Sequence, residues 1–248
     1  MQSKVCGLIL RETDYKESDK LLTVLTEPEG LVTIKARGVR SRSSRLKGAC
    51  QLFCYAEFTC SEFHGYQVLQ EATPIEQFPE LRQDLEKLTL ASYFAQAAET
   101  VSQEDVRTGA LLQLTLKALY ALCRLPRPPR QVKAVFELRL ASYAGYQPEL
   151  EACPACGNPE PDGFNPERGT VQCARCFRLQ DAGSVMPLRA GTLAAMRFIV
   201  GQEPAKLFSF RLSDAALAEL GAITEAYLLA QFGRSFHTLD YYHSLFTT

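Results

Sequence analysis

The sequence predicts an α+β chain. A small antiparallel β-barrel comes first, followed by an α-helical bundle that a four-cysteine insert interrupts. Three observations carry this. Short β-rich runs crowd the first seventy or so positions, apolar residues recur at helical spacing after Pro79, and two CxxC pairs stand at Cys153–Cys156 and Cys173–Cys176. The expected boundaries are 1–79 for the barrel, 80–147 with 186–248 for the helical domain, and 148–185 for the insert.

The barrel strands are expected at Cys6–Arg11, Lys20–Thr26, Leu31–Gly38, Leu52–Cys60 and Tyr66–Glu71, with turns at Pro28–Gly30 and His64–Gly65. Five short strands with no helix among the first ones suit a closed barrel. On the third strand, Val32, Ile34 and Ala36 face one way and line the interior. Lys35 and Arg37 then face outward, because side chains alternate along a strand. Phe53 and Tyr55 share a face of the next strand, where they either stack on a ligand's rings or pack into the core.

Helical periodicity starts with Leu81, Leu85 and Leu88 and continues to Val101. Leu111 to Leu122 gives a second helix, which the Pro-rich segment Leu125–Pro129 ends. A third runs from about Gln131 to Ala144, before Gly145. A short helix covers about Arg189 to Val200. A long one starts behind Ser213, a good N-cap residue, and reaches Gly233.

The insert reads Cys153-Pro-Ala-Cys156-Gly157, fifteen residues, then Cys173-Ala-Arg-Cys176. Two CxxC turns at this separation are the spacing of a four-thiolate zinc site, one structural Zn2+ per chain. Such a shell leaves no position for water, so the ion orders structure and performs no chemistry. Pro159, Pro161, Gly163, Pro166 and Gly169 argue against a helix or an ordinary core here, which leaves the metal to order the segment.

The chain is 46% hydrophobic, enough for real cores, and no run of apolar residues is long enough to cross a membrane. The N-terminus lacks the apolar stretch of a secretory signal, and nine cysteines suit a reducing compartment, so a cytoplasmic location is expected.

Charge is segregated. Residues 30–56 hold Lys35, Arg37, Arg40, Arg42, Arg45 and Lys47 without one acid, and residues 106–148 hold seven basic residues against Glu137. Each stretch carries +6, which leaves −13 on the rest of a chain of net charge −1. Two basic surfaces on an otherwise acidic protein point to a polyanion. The flexible loop Arg40–Arg45 suits phosphates gripped without reading bases. Arg124, Arg127 and Arg130 form the second candidate group.

Phosphate-loop, nucleophile-elbow and HExxH motifs are absent, and His64, His237 and His243 are scattered, so no enzyme is expected. The competing readings are a zinc-stabilised protein-interaction adaptor and a metal-dependent nuclease.

The segment Gly7–Leu22 resembles the opening of RecO recombination-mediator proteins. So do Ala36–Arg40 followed by Arg45–Ala49 and Gln51–Phe53, Ala144–Leu150 leading into Cys153–Cys156, and Leu220–Phe236 with Gly233–His237. The family tends to have Lys-Ser where this chain has His237–Thr238. The resemblance implies an OB-fold at the N-terminus, a helical domain and a zinc-stabilised insert in a bacterial, nucleoid-associated protein of DNA repair. It further implies binding to single- and double-stranded DNA and annealing of complementary strands. Its implied partners are RecR and single-strand-binding protein, on whose coated strands it helps load recombinase.

Overall fold

The computed structural model describes residues 2–63, 65–102, 107–177 and 185–246. They fall into two compact units, residues 1–123 with 241–248, and residues 124–240.

The first unit opens with a closed barrel. Its strands are β1 (Gln2–Tyr15), β2 (Asp19–Thr26), β3 (Gly30–Ala36), β4 (Tyr55–Phe63) and β5 (Tyr66–Glu76), in the order β1-β2-β3-β5-β4. All pairings are antiparallel except β3 with β5, where Ile34 meets Gln67 and Lys35 meets Val68. This is the OB-like barrel the sequence predicts.

The first strand closes the barrel by serving two neighbours. Its start pairs with β4 (Gln2 with Ser61 to Leu8 with Tyr55), and its remainder with β2 (Gly7 with Thr26 to Tyr15 with Asp19). Gly7 sits in both ladders. A Cβ there would lie 2.4 Å from Val24 Cγ1 and 2.9 Å from the Leu25 carbonyl, so only glycine permits the approach. Register shifts between Ile9 and Arg11, the kind of irregularity that bends a strand. Inside lie Val5, Ile9, Leu22, Val24, Ile34, Phe58 and Leu69, with the thiols of Cys50, Cys54 and Cys60. Each large apolar side chain so buried contributes roughly 1.5–3 kcal/mol.

The fourth strand starts three residues later than the sequence suggests. Phe53 has φ of 65°, a left-handed conformation rare for a bulky residue, and its amide donates to the Ile9 carbonyl. That turn places Phe53 in the core, off the face Tyr55 occupies. Of the His64–Gly65 turn, His64 lies outside the described residues.

Two helices complete this unit. Helix α1 (Leu85–Val101) is capped by Asp84, whose carboxylate accepts from the Lys87 amide at 3.2 Å. It buries Leu90, Tyr93, Phe94 and Ala98, and Glu99 pairs with Arg11 of β1 at 2.9 Å. Helix α2 (Gly109–Arg124) follows the expected period.

In the second unit, α3 (Pro129–Tyr143) is buried from Gln131 to Ala141 and packs on α4 (Ala190–Gly201) and α5 (Asp214–Phe232). Ser213 caps α5, accepting from the Ala216 amide at 3.3 Å. Here one sequence expectation fails. Lys133 and Arg139, counted toward a second basic surface, are buried on α3. Lys133 bonds Glu137 at 2.8 Å and Glu225 at 2.6 Å, and Arg139 donates to the Val200 carbonyl at 2.7 Å. A helix buried all round must satisfy its charges internally, so these cations offer nothing to a ligand.

A sixth helix, α6 (His237–Phe246), was not foreseen; it is short and aromatic-rich, so propensity argues weakly for it.

Candidate metal centre and basic barrel loop

The insert has more structure than its Pro and Gly content suggests. Strands β6 (Gly163–Asn165) and β7 (Thr170–Gln172) form a hairpin, and β8 (Met186–Pro187) adds a third edge. Phe164 and Val171 are fully buried, and Phe164 meets Tyr227 of α5 edge-on at 5.4 Å. So the expectation of no ordinary core is corrected: the hairpin supplies one apolar plug, and α5 receives it. Residues 178–184 of the insert lie outside the described residues.

The hairpin brings the two cysteine knuckles together. In the first, the Gly157 amide donates to the Cys153 carbonyl at 2.8 Å, and Gly157 takes φ of 71°, which a Cβ would strain. In the second, the Cys176 amide donates to the Cys173 carbonyl at 2.9 Å, and Asp162 Oδ1 accepts from the Ala174 amide at 2.7 Å.

The four sulfurs lie within 4.8 Å of one another, with Cys156 and Cys173 Sγ atoms 3.8 Å apart. A tetrahedron of metal–sulfur bonds near 2.3 Å has edges of about 3.8 Å. The donors therefore suit a four-coordinate metal ion.

The surroundings favour thiolates at Cys153 and Cys156, whereas Cys176 is pushed up to about 11, first by its hydrogen bond with Cys156, and Cys173, which Asn158 lowers, is raised overall by burial and by the neighbouring sulfurs. Burial opposes ionisation of Cys153, yet donation from the amides of Cys173, Ala155 and Cys156 outweighs it and brings the thiol to about 6. The Cys156 thiol is lowered too, first by the Asn158 amide. Asn158 Nδ2 also donates to Cys173 Sγ at 3.2 Å.

Arg197 of α4 holds the first knuckle from outside. Its Nε donates to the Leu150 carbonyl at 2.8 Å, and Nη2 donates to the carbonyls of Glu151 and Pro159, both at 2.7 Å.

The six cations of the barrel loop divide into two kinds. Lys35 faces Asp19 at 3.9 Å and lies over the Tyr15 ring at 4.6 Å. Arg40 pairs with Asp14 at 3.1 Å and donates to the carbonyls of Lys16 and Glu17, clipping the loop to the β1–β2 turn. The segment itself holds no acid, and the anions that meet Lys35 and Arg40 come from outside it: the β1–β2 hairpin supplies two carboxylates. Arg37, Arg42, Arg45 and Lys47 are exposed, and no ion pair holds them among the described residues. Arg37 lies over the Phe63 ring at 5.2 Å.

The Arg124–Arg130 group is largely engaged. Arg127 donates to the Phe208 carbonyl at 2.7 Å, Arg130 pairs with Asp214, and Arg124 has an interaction partner of its own.

Tyr55 is half-buried at the start of β4, beside Leu8 of β1. The barrel's exposed aromatics are instead Tyr15, Phe63 and Tyr66, all at strand ends. The sequence signal was the pair of rings flanking the His64–Gly65 turn.

Residues 1–78 match the family model described as Recombination protein O N terminal, and residues 82–240 match Recombination protein O C terminal. Among curated relatives, a DNA repair protein RecO of Acetivibrio thermocellus is 31% identical over 244 residues, covering 98% of this chain and 96% of the relative. DNA repair protein RecO of Symbiobacterium thermophilum is 28% identical across 97% of this chain and 96% of its own length. The protein of that name from Anaeromyxobacter dehalogenans is 34% identical across 79% and 78%.

Proposed function

The chain belongs to the Recombination protein O family, and from that premise we propose that it is a non-enzymatic DNA-repair mediator. It binds single- and double-stranded DNA through the barrel loop, anneals complementary strands, and acts with RecR to load recombinase on strands coated by single-strand-binding protein. It works in the bacterial cytoplasm, at the nucleoid. No described helix is long and apolar enough to cross a membrane.

The observation that carries the DNA reading is the set of exposed cations on one loop, Arg37, Arg42, Arg45 and Lys47, with no carboxylate paired to them. Annealing needs two phosphate backbones held close with their repulsion screened, and a cationic loop on a rigid barrel supplies that screening. The ion at Cys153, Cys156, Cys173 and Cys176 is one structural Zn2+: four thiolates suit zinc, and the closed shell leaves no site for a reacting water.

Titrating DNA at several salt concentrations tests this. Four to six neutralised phosphates give a slope of log affinity against log salt of about −3 to −4 on single strands. The Arg42→Glu/Arg45→Glu variant should bind both strand forms more weakly, with a slope shallower by roughly 0.7 for each lost contact. A flat salt response, or unchanged binding by that variant at moderate salt, would sink the proposal.

A further inference from the structure

The chain holds one more charged stretch, of the opposite sign. Residues 140–167 carry Glu149, Glu151, Glu160, Asp162 and Glu167 and not one Lys or Arg. Part of this stretch forms one wall of a cleft beside the first cysteine knuckle. The cleft holds about 920 Å³. Glu149 and Glu151 line it together with Ala152, Pro154, Val200 and Gly201, the last two from the C-terminal end of α4.

The acidic wall is fixed before any ligand arrives, which lowers the ordering cost of binding. The Glu149 amide donates to the Gly169 carbonyl at 2.8 Å, and the Val171 amide donates to the Glu149 carbonyl at 3.2 Å. Arg197 holds the next two residues through the Leu150 and Glu151 carbonyls. Pro148 and Leu150 are buried, whereas Glu149 and Glu151 are exposed. This alternation sends both carboxylates to one side, about 7 Å apart at strand spacing. No cation pairs with either of them among the described residues. Arg197 also lines the cleft, but its guanidinium faces three carbonyl oxygens instead. The wall at Gly201 leaves room: a Cβ there would meet nothing within 4 Å.

We propose that this cleft docks an extended segment of a protein partner that carries lysine or arginine. Two unpaired carboxylates beside small apolar side chains complement a cation on an aliphatic stem. A cleft of this volume takes several residues, and a free amine would leave most of it empty. A phosphate backbone meets only like charge at Glu149 and Glu151, so nucleic acid is not the occupant. The site adds a protein-docking role to the unit that bears the cysteines. It stands whether or not the barrel loop grips DNA. Arg197 then has a second use, because the carbonyls it holds belong to the wall that presents the two carboxylates.

The test uses the full-length protein, its metal content measured, and a fluorophore-labelled peptide, Leu-Lys-Ser-Lys-Leu. Its two lysines match the spacing of the two carboxylates. One comparison peptide has glutamate for lysine, and another has serine for leucine. Fluorescence anisotropy should show saturable binding of the lysine peptide, none of the glutamate peptide and weaker binding of the leucine-free one. Glu149→Gln/Glu151→Gln should weaken the lysine peptide about fivefold, the order for two partly exposed ion pairs. Gly201→Phe changes no charge and should abolish binding by filling the cleft. Glu29→Gln/Glu71→Gln removes two exposed carboxylates from the barrel and should bind as the parent does. All variants should keep the parental metal content.

Equal affinity for the lysine and glutamate peptides overturns the docking site, as does a parent that binds neither at about 1 mM. Equal losses in the cleft and barrel pairs overturn it too, since general acidity would then suffice. A leucine-free peptide that binds undiminished has the same force. Parental affinity in Glu149→Gln/Glu151→Gln decides against the cleft even if Gly201→Phe fails to fold, and parental affinity in a folded Gly201→Phe does so as well. Spermidine that displaces the peptide at equal concentration would make a small amine the occupant. Self-association that the peptide disrupts would make it a second copy, and oligo(dT) displaced by the peptide would make it nucleic acid. Each of these three results replaces the protein partner.

Discussion

Arg197 and the first cysteine knuckle are joined by one guanidinium and three backbone oxygens, 38 to 47 positions away in sequence. The planar fork suits this, because its donors point in fixed directions that an ammonium cannot reproduce. Removing it leaves the carbonyls of Leu150, Glu151 and Pro159 without their donor. Arg197→Ala should therefore lower stability by roughly 1–2 kcal/mol, the range for hydrogen bonds from a charged group that is partly exposed. It should also speed metal release to a chelator at neutral pH about tenfold, with Arg197→Lys between. Release at the parental rate from both variants would show that the knuckle holds itself. The cysteines were legible in the sequence because a CxxC turn is local and its spacing is the site. Arg197 was not, since nothing in its neighbourhood on α4 announces partners across the fold. Phe53 misleads for a related reason: alternation suggests a strand position, and a tertiary bond to the Ile9 carbonyl imposes a left-handed turn.

At the scale of elements, strand and helix periodicity located the five barrel strands and five of the six α-helices among the described residues. It missed what depends on partners. The first strand is much longer than its apolar run because it serves two neighbours, and α6 is too short and aromatic to stand on propensity. Charge counting failed on α3, where Lys133 and Arg139 turned out to be internal, because a count along the chain cannot see which face a helix buries. The barrel interior has a testable chemical consequence. Burial pushes the Cys50 thiol up to about 12 and Cys60 up to about 11, and raises Cys54 as well. The folded barrel thus holds these protons more tightly than the unfolded chain, whose thiols titrate near 9. The stability this contributes is complete below pH 9 and is lost as pH rises through 11 and 12. Thermal unfolding midpoints should fall across that window. Cys50→Ala/Cys60→Ala should fall less steeply than the parent, and identical slopes would contradict the assignment.

At the scale of the whole molecule, the cationic loop and the four-thiolate cluster belong to different compact units, each with its own core. The loop stands on the barrel, whose closure depends on Gly7 and on pairing between strands. The two cysteine knuckles flank the β6–β7 hairpin, which α5 anchors through Phe164 and Tyr227. Neither set of side chains needs the other for its local geometry. Loss of metal and loss of phosphate grip should therefore separate. Cys156→Ser removes a ligand that is exposed and so leaves little behind in the way of a cavity. It should lower bound metal well below one equivalent while single-strand affinity stays within about twofold and the salt slope is unchanged. Arg42→Glu/Arg45→Glu should do the reverse, holding its metal while the slope becomes shallower by about 1.4, two contacts' worth on single strands. Metal content by elemental analysis and DNA affinity across salt, measured on both variants, decide the matter. A shallower slope in Cys156→Ser would mean that the metal unit contributes phosphate contacts of its own. Arg168 and Arg175, which flank the β7 strand and the second knuckle, would then be the next cations to reverse.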